Sequence, residues 1–358
     1  MNEICRNLKP QIAKFITSSS KIYISGHHEP DFDAIAAAIG VLELCKHFKK
    51  EAYIVLDEKG IELEPGVKKI IRNNQERFHI ISKEEFDASF DENSSLIVVD
   101  TSKNFLTEVA DHMGRFKKVA VIDHHEPGKD FIKADVSCID TSISSASEIV
   151  ASVLLAQGVK TDSDVANYLL AGIQLDTNRY RKNTTSHTHE VAKKLIDRGA
   201  NADFVNQLFM AEFEADKRIH NLVYNNGNTL LVDYHPSLFE PKRVSYTFNR
   251  EKPDTIYRKE ELAKAADRML KYDVDASFAI GLVREDLISI SARSKTGIDV
   301  GKIMGELGGG GSINSAATKI VGNDILAVAS ELETAVSNSL EDSKDSSKVY
   351  LLKPCQDK

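Results

Sequence analysis

Over roughly the first 200 residues, short β-rich runs alternate with stretches of helical period, a pattern that leaves little besides a parallel sheet with crossover helices. The runs are KIYIS from Lys21, AYIVL from Ala52, SLIVVD ending at Asp100 and KVAVID ending at Asp123. The last two are nearly continuously apolar, as strands covered on both faces must be. Between the first two, Ile35, Ile39, Leu42 and Cys45 recur at helical spacing and mark one buried face. Acidic and His residues recur just after these strands. In an open α/β sheet that is where ligands bind, so residues distant in sequence are gathered into one crevice.

The text then changes. Asn201 to Asn225 reads as connecting helices, after which TLLVDYH, RVSYTF, ASFAIGLV and DLISISARS are strand-like. Ile288, Ser289, Ile290 and Ser291 alternate as on a half-exposed sheet face, and helical patterns follow Tyr257, Val300 and Asn323. The expectation is an α/β, Rossmann-like N-terminal domain and a smaller C-terminal α+β domain with a mixed sheet. A length of 358 residues, too great for one ordinary core, agrees. The expected divisions are 1–200, a helical linker 201–226, 227–342, and a tail 343–358 that is polar and loosely held, with one short apolar piece able to dock.

Several classes are disfavoured. No apolar run approaches a membrane span and the N-terminus lacks a signal-peptide core, so the cytosol is the expected location. Cys5, Cys45, Cys138 and Cys355 are scattered without a CxxC pair, which argues against a disulfide frame or a zinc site. A net charge of -8 disfavours sequence-blind grip on long nucleic acid. A short phosphorylated ligand stays open, because bound cations can supply a positive field locally.

Four segments carry the chemistry. SGHHEPDFDA places His27, Asp31 and Asp33 on a strand-to-helix loop, where a helix cap and a surface histidine are the plain alternatives. VVDTS ends a buried strand with Asp100, a position also common for caps and turns. VIDHHEP ends another with Asp123, His124 and His125, and adjacent imidazoles there are harder to dismiss. LLAGIQLDTNRYR puts Asp176 at a helix end beside Arg179 and Arg181, where a surface ion pair is the alternative. Each segment is weak alone; four at successive element ends of one domain point to a shared metal site. Mixed oxygen and nitrogen donors without thiolate suit Mn²⁺, with Mg²⁺, Co²⁺ and Fe²⁺ as rivals. Six ligands from this set are too many for one ion with open positions, but natural for two ions sharing a carboxylate.

These segments resemble the four motifs of the DHH phosphoesterases, a superfamily that includes RecJ-type exonucleases, nanoRNA/pAp phosphatases and cyclic-di-AMP phosphodiesterases. ISARSKTG followed by LGGGGSINSAAT resembles the DHH-associated C-terminal domain, which in the family binds substrate, so the resemblance covers nearly the whole chain. It implies an active site in the cleft between the domains. It implies that His27, Asp31 and Asp100 hold one divalent cation and that Asp33, Asp100, His124 and Asp176 hold a second, Asp100 bridging. Asp123 and His125 would orient the ligands or act near the leaving group. AADRMLKYDVDASFAIG, SSASEI, KIMGELGGGG and NSAATKI read closest to the cyclic-di-AMP phosphodiesterases, here as a stand-alone catalytic version.

On the substrate side, a glycine run is by itself more often a turn than a phosphate cradle, and Arg293 alone is more often a surface ion pair. With the resemblance, Arg293, Ser294, Gly309, Gly310, Gly311, Ser312 and Asn314 are the expected phosphate contacts. One departure stands out: the family usually has His after the glycine run, and this chain has Ser312, with Asn314 a candidate to compensate. The expected activity is two-metal hydrolysis of cyclic-di-AMP to pApA and onward to AMP. The alternatives are a nanoRNase or pAp phosphatase on linear substrates, or a weakly active nucleotide-binding regulator. The expected partner is a small nucleotide, with no long nucleic acid and no membrane, and a homodimer is left open.

Overall fold

The computed structural model describes residues 3–57, 63–126, 131–210, 213–225, 229–234, 242–295, 297–341 and 348–352. The chain divides into two units, Met1–Met210 and Ala211–Lys358.

The first unit contains α1 (Glu3–Thr17), β1 (Lys21–Ser25), α2 (Phe32–His47), β2 (Glu51–Val55), α3 (Pro65–Asn74), β3 (Ile80–Ile81), α4 (Lys83–Ser89), β4 (Ser95–Val99), β5 (Lys118–Asp123), β6 (Val136–Ile139), α5 (Ala146–Gln157), α6 (Ser163–Asp176), α7 (Ser186–Asp197) and α8 (Ala202–Leu208). All six strands are parallel, in the order β3-β2-β1-β4-β5-β6. The chain builds outward from β1 to β3, then returns to lay β4 on the other side of β1. The loops leaving β1 and β4 therefore part in opposite directions, which opens a crevice at their carboxyl ends.

Strand alternation explains the continuous apolar runs. Ile22, Ile24, Ile97, Val99, Ala120 and Ile122 point into one core with α2, α5 and α6. Tyr23, Leu96, Val98, Val119 and Val121 point into a second core on the opposite face. The four strands read from the sequence are present; β3 and β6 were not anticipated. One has two residues, and the other is an edge strand whose partial exposure leaves no periodic signal. The one-faced reading of α2 is corrected: from Phe32 to Cys45 every residue but Glu43 is buried. A helix that is apolar all round belongs in the interior. Among the described residues no helix is long and apolar enough to cross a membrane. Cys45 and Cys138 are buried; Cys355 and the Cys5 side chain lie outside the described residues.

The second unit contains α9 (Phe213–His220), β7 (Thr229–Tyr234), β8 (Lys242–Thr247), α10 (Lys259–Met269), β9 (Ala276–Arg284), β10 (Leu287–Ser294), α11 (Val300–Glu306), β11 (Gly310–Gly311), β12 (Ser315–Val321), α12 (Ile325–Glu341) and β13 (Lys348–Leu352). Its mixed sheet runs β11-β12-β10-β9-β8-β7-β13, antiparallel except for the parallel pair β8–β9. Phe278, Ile280, Ile288 and Ile290 face α11 and α12, whereas Ala279 packs with Leu262, Ala265 and Ala266 of α10. The sheet is therefore covered on both faces, and the half-exposed reading of Ile288 to Ser291 is corrected. Ser289 and Ser291 are buried, and Ser289 Oγ donates to Thr318 O at 3.2 Å. The apolar piece of the tail pairs antiparallel with β7 as β13. The rest of the tail, 342–347 and 353–358, lies outside the described residues.

Candidate metal centre

Asp100 follows β4 directly and sits in the left-handed region at φ 59°, which an Asp tolerates better than most side chains. Its amide is fixed by donating to Ile122 O at 2.9 Å, and its carboxylate is 2% exposed. Around it the other strand ends deliver their groups. His27 Nε2 lies 3.4 Å from Asp100 Oδ2 and 3.9 Å from Asp31 Oδ1. His124 Nε2 lies 3.3 Å from Asp100 Oδ1, 3.1 Å from Asp176 Oδ2 and 3.8 Å from Asp33 Oδ2. One ligand atom each from His27, Asp31 and Asp100 falls within 4.8 Å of the others, as do one each from Asp33, Asp100, His124 and Asp176. Asp100 belongs to both groups.

Local structure fixes each carboxylate. Asp31 caps α2, its Oδ1 accepting from the amides of Asp33 at 2.8 Å and Ala34 at 3.1 Å. The cap expected as the plain alternative is thus real, and it coexists with a place in the cluster. Asp33 is fully buried, and its two oxygens accept from the first amides of α5, Ala146 at 2.7 Å and Ser147 at 2.8 Å. Those amides would otherwise be orphaned at a positive helix end. Asp176 ends α6, and it meets His124 rather than the arginines that follow it. Asn178, Arg179 and Tyr180 are all left-handed (φ 46°, 57° and 64°), a strained exit held by Thr177, whose Oγ1 accepts from Tyr180 N at 3.0 Å.

The second histidine is arranged differently. Asp123 Oδ1 accepts from the amides of His124 and His125 and lies 2.9 Å from His125 Nδ1, which fixes the imidazole with Nδ1–H toward the carboxylate. The His125 side chain is 56% exposed and lines a cavity of about 230 Å³ together with His27, Asp31, Asp100 and Asp176.

The electrostatics of the bare cluster are those of carboxylates in want of a cation. Burial pushes the Asp33 carboxyl well above its ordinary range, and the charges of Asp100 and Asp176 push the same way. Burial would lower the His27 and His124 imidazoles, but the carboxylates beside them prevail, raising His27 to about 9 and His124 to about 11. Burial alone would raise Asp100; the same two imidazoles outweigh it and hold the carboxyl well below the usual range. Asp100 Oδ1 and His124 Nε2 are buried without a hydrogen-bond partner. Such orphaned atoms are costly unless something accepts them. Oxygen and imidazole donors at these separations fit a divalent cation of the Mn²⁺ or Mg²⁺ type.

In the second unit the candidate contacts are occupied within the chain. Arg293 Nε lies 3.2 Å from the half-exposed Asp267, and Nη1 donates to Ala292 O at 2.9 Å. Ser294 Oγ is 2.8 Å from Ile298 O, and Asn314 O accepts from Ser294 N at 3.0 Å. Ser312 is exposed and its hydroxyl closes a small turn with Ser315. The glycine run splits in two. A Cβ on Gly309 would lie 2.3 Å from Ala317 O, and one on Gly311 2.4 Å from Ser315 O, so β12 itself excludes side chains there. Gly310 is exposed and has nothing within 4 Å of the space its side chain would fill.

The first unit matches the DHH family N-terminal domain over residues 21–173, and the second matches the DHHA1 domain over residues 243–338. The chain is a DHH–DHHA1 protein. It is 29% identical over 342 residues to the cyclic-di-AMP phosphodiesterase GdpP of Bacillus subtilis, covering 94% of this chain and 50% of that protein. It is 30% identical over 342 residues to the cyclic-di-AMP phosphodiesterase PdeA of Listeria monocytogenes, covering 92% and 49%. The chain thus spans about half the length of these relatives. The bifunctional oligoribonuclease and PAP phosphatase NrnA of Thermus thermophilus is 24% identical over 310 residues, 85% of each chain. The crystal structure of an exopolyphosphatase-related protein from Bacteroides fragilis has the same fold, with a TM-score of 0.73 at 18% identity over 95% of this chain and 98% of that one.

Two features of the DHH domain have no local sequence signal. The clasp of α5 on Asp33 joins residues 113 and 114 apart. Gly172 in α6 is obligatory, since a Cβ there would lie 2.2 Å from Ser147 Oγ and 2.9 Å from Asp33 Oδ1.

Proposed function

We propose that this protein is a two-metal phosphodiesterase acting on a small nucleotide, with cyclic-di-AMP, cut to pApA, as the favoured substrate. The observation that carries the reading is the meeting of His27, Asp31, Asp33, His124 and Asp176 around the buried, strained Asp100. The substrate assignment is supported by relatives named cyclic-di-AMP phosphodiesterases that align with 92–94% of this chain.

In this reading His27, Asp31 and Asp100 hold one cation and Asp33, Asp100, His124 and Asp176 the other. Their four carboxylates balance two divalent charges before substrate arrives. A bound pair of Mn²⁺ ions supplies an acidified water and positive charge at the attacking and leaving oxygens of an in-line displacement. Asp123 keeps the His125 Nδ1 proton and so turns Nε2 outward, where it can hand a proton to the leaving oxygen. The Asp123 carboxylate also raises the His125 pKa, which keeps that proton available near neutrality. Asp33, clamped by α5, fixes its ligand oxygens without rearrangement. Gly310 and Arg293 of the DHHA1 domain are the candidate phosphate contacts.

A second reading is favoured by one residue. Ser312 cannot supply the charge of the histidine usual in the family, which moves preference toward linear substrates such as those in the name of the Thermus relative. Purified protein with Mn²⁺, offered cyclic-di-AMP, pApA and pAp separately, tests both. Conversion of cyclic-di-AMP to pApA supports the first reading, and turnover of only pApA or pAp supports the second. Tight binding without turnover of any of the three would overturn both in favour of a regulatory binder.

A further inference from the structure

The cavity of the DHH domain has one wall that the metal ligands do not explain. Residues 101–106 run along it, pinned from both sides. His28 N donates to Leu106 O at 2.7 Å, Ile132 N donates to Ser102 O at 2.7 Å, and Lys103 forms an isolated antiparallel bridge with Phe131. Lys103 N also bonds to Thr101 Oγ1 at 3.2 Å. The segment is thus a fixed part of the site.

It brings Lys103 into the lining, where among the described residues it is the only Lys or Arg beside Glu29, Asp31, Asp100, Asp123 and Asp176. Although it shares the lining with five carboxylates, Lys103 forms no ion pair with any described residue. The neighbours of Lys103 add a second signal. Phe105, two residues on, is 64% exposed, and Phe131, the bridge partner of Lys103, is 54% exposed. Exposed aromatic rings and a cation on neighbouring stretches of chain are groups a nucleotide can use, stacking its base and pairing its phosphate. The cavity, about 230 Å³, lies below the roughly 300–1,000 Å³ of ordinary small-molecule sites. It takes the reacting phosphate and its surroundings, and the rest of a dinucleotide must lie along such walls.

We propose that Lys103 is a specificity-determining residue that binds the phosphate of a dinucleotide that is not cut. The inference rests on the phosphodiesterase reading and deepens it. The cut phosphate meets the cations, whose charge the Asp ligands have already matched. A second phosphate entering this acidic cavity finds in Lys103 the one Lys or Arg of its described lining, and a Lys serves as a point charge for it.

The test uses the full chain with Mn²⁺ and two linear dinucleotides, pApA and the same molecule without its 5′-phosphate, ApA. Wild type should favour pApA in kcat/KM. Lys103→Met should reduce that preference about 10- to 100-fold, the worth of a hydrogen bond to a charged group, mostly through KM. Lys103→Arg should keep most of it, and Phe105→Ala should raise KM for both substrates about tenfold. An undiminished preference in Lys103→Met overturns the proposal, as does an equal fall in kcat on both dinucleotides, which would put Lys103 at the cut phosphate. Should wild type turn over neither, as an enzyme that stops at pApA would, the phosphodiesterase reading is decided separately on cyclic-di-AMP, and binding of the same pair decides the role of Lys103. Lys103→Met must then weaken pApA relative to ApA, and an equal effect on both overturns the assignment.

Discussion

In the DHH domain Asp100 Oδ1, His124 Nε2 and Asp123 Oδ2 are buried without a hydrogen bond, beside an aspartate in the left-handed region and a left-handed run after Asp176. In the DHHA1 domain the candidate contacts are already engaged: Arg293 with Asp267, Ser294 with Ile298, Ser312 with Ser315. Among the described residues, no buried side-chain polar atom of the second unit lacks a partner, while the first unit holds several. The contrast separates two kinds of site. A site that holds cations is built with unmet donors and local strain, because the ligand completes it. A surface that only recognises part of a substrate can be fully satisfied beforehand and exchange weak contacts on binding.

The account breaks first at Asp100. Asp100→Ala should abolish turnover at every Mn²⁺ concentration, since it removes the proposed bridge between the two cations; recovery with excess metal would deny it the bridging place. His125→Ala should lower kcat by roughly 10²- to 10⁴-fold, as loss of a general acid does, with Mn²⁺ affinity nearly intact. A matching loss of Mn²⁺ binding would make it a ligand instead. The bare cluster should also register in stability. Because the folded His27 pKa is raised from 6.5 to about 9, its contribution is full below about pH 6.5 and disappears as pH rises through about 9. Thermal denaturation of chelator-treated protein should therefore show Tm falling by several degrees between about pH 6 and pH 9, at about 2–4 °C per kcal/mol. Saturating Mn²⁺ should flatten the slope, and an unchanged slope would count against the site.

The DHHA1 domain should answer more mildly. Gly309→Ala should destabilise the fold by about 1–3 kcal/mol, as overpacking does, whereas Gly310→Ala should leave denaturation unchanged and raise KM. Equal thermal effects would remove the distinction between the two glycines. The smallest effect expected is Ser312→His, a rise of about tenfold or less in cyclic-di-AMP turnover, the worth of one added contact made in the transition state. A loss of turnover would mean that the loop is built around serine.

Much of this was legible in the sequence, for physical reasons. KIYIS, SLIVVD and KVAVID could be read because strands buried on both faces must be apolar throughout, and the candidate ligands fell at strand ends where parallel sheets bind. Asp31 shows the limit: it was legible as a cap or as a ligand, and only the fold brings the two together in one side chain. The clasp of α5 on Asp33 and the tight seat of Gly172 depend on contacts between distant helices, which no local pattern encodes. The sequence spacing of α2 suggested one buried face, because helical period reveals that some side is apolar but not that a second layer covers the other. Lys103, three residues after Asp100, carries no signal in the sequence. Its place in the cavity lining, without an ion pair to any described residue, is a tertiary fact.

The most direct test is a count of Mn²⁺ ions bound per chain, by titration of metal-free protein followed by electron paramagnetic resonance. The account predicts two ions, magnetically coupled at a spacing of about 3.5–4 Å, with the coupling lost in Asp100→Ala. A single uncoupled ion in the wild type, or coupling that survives without Asp100, would contradict it.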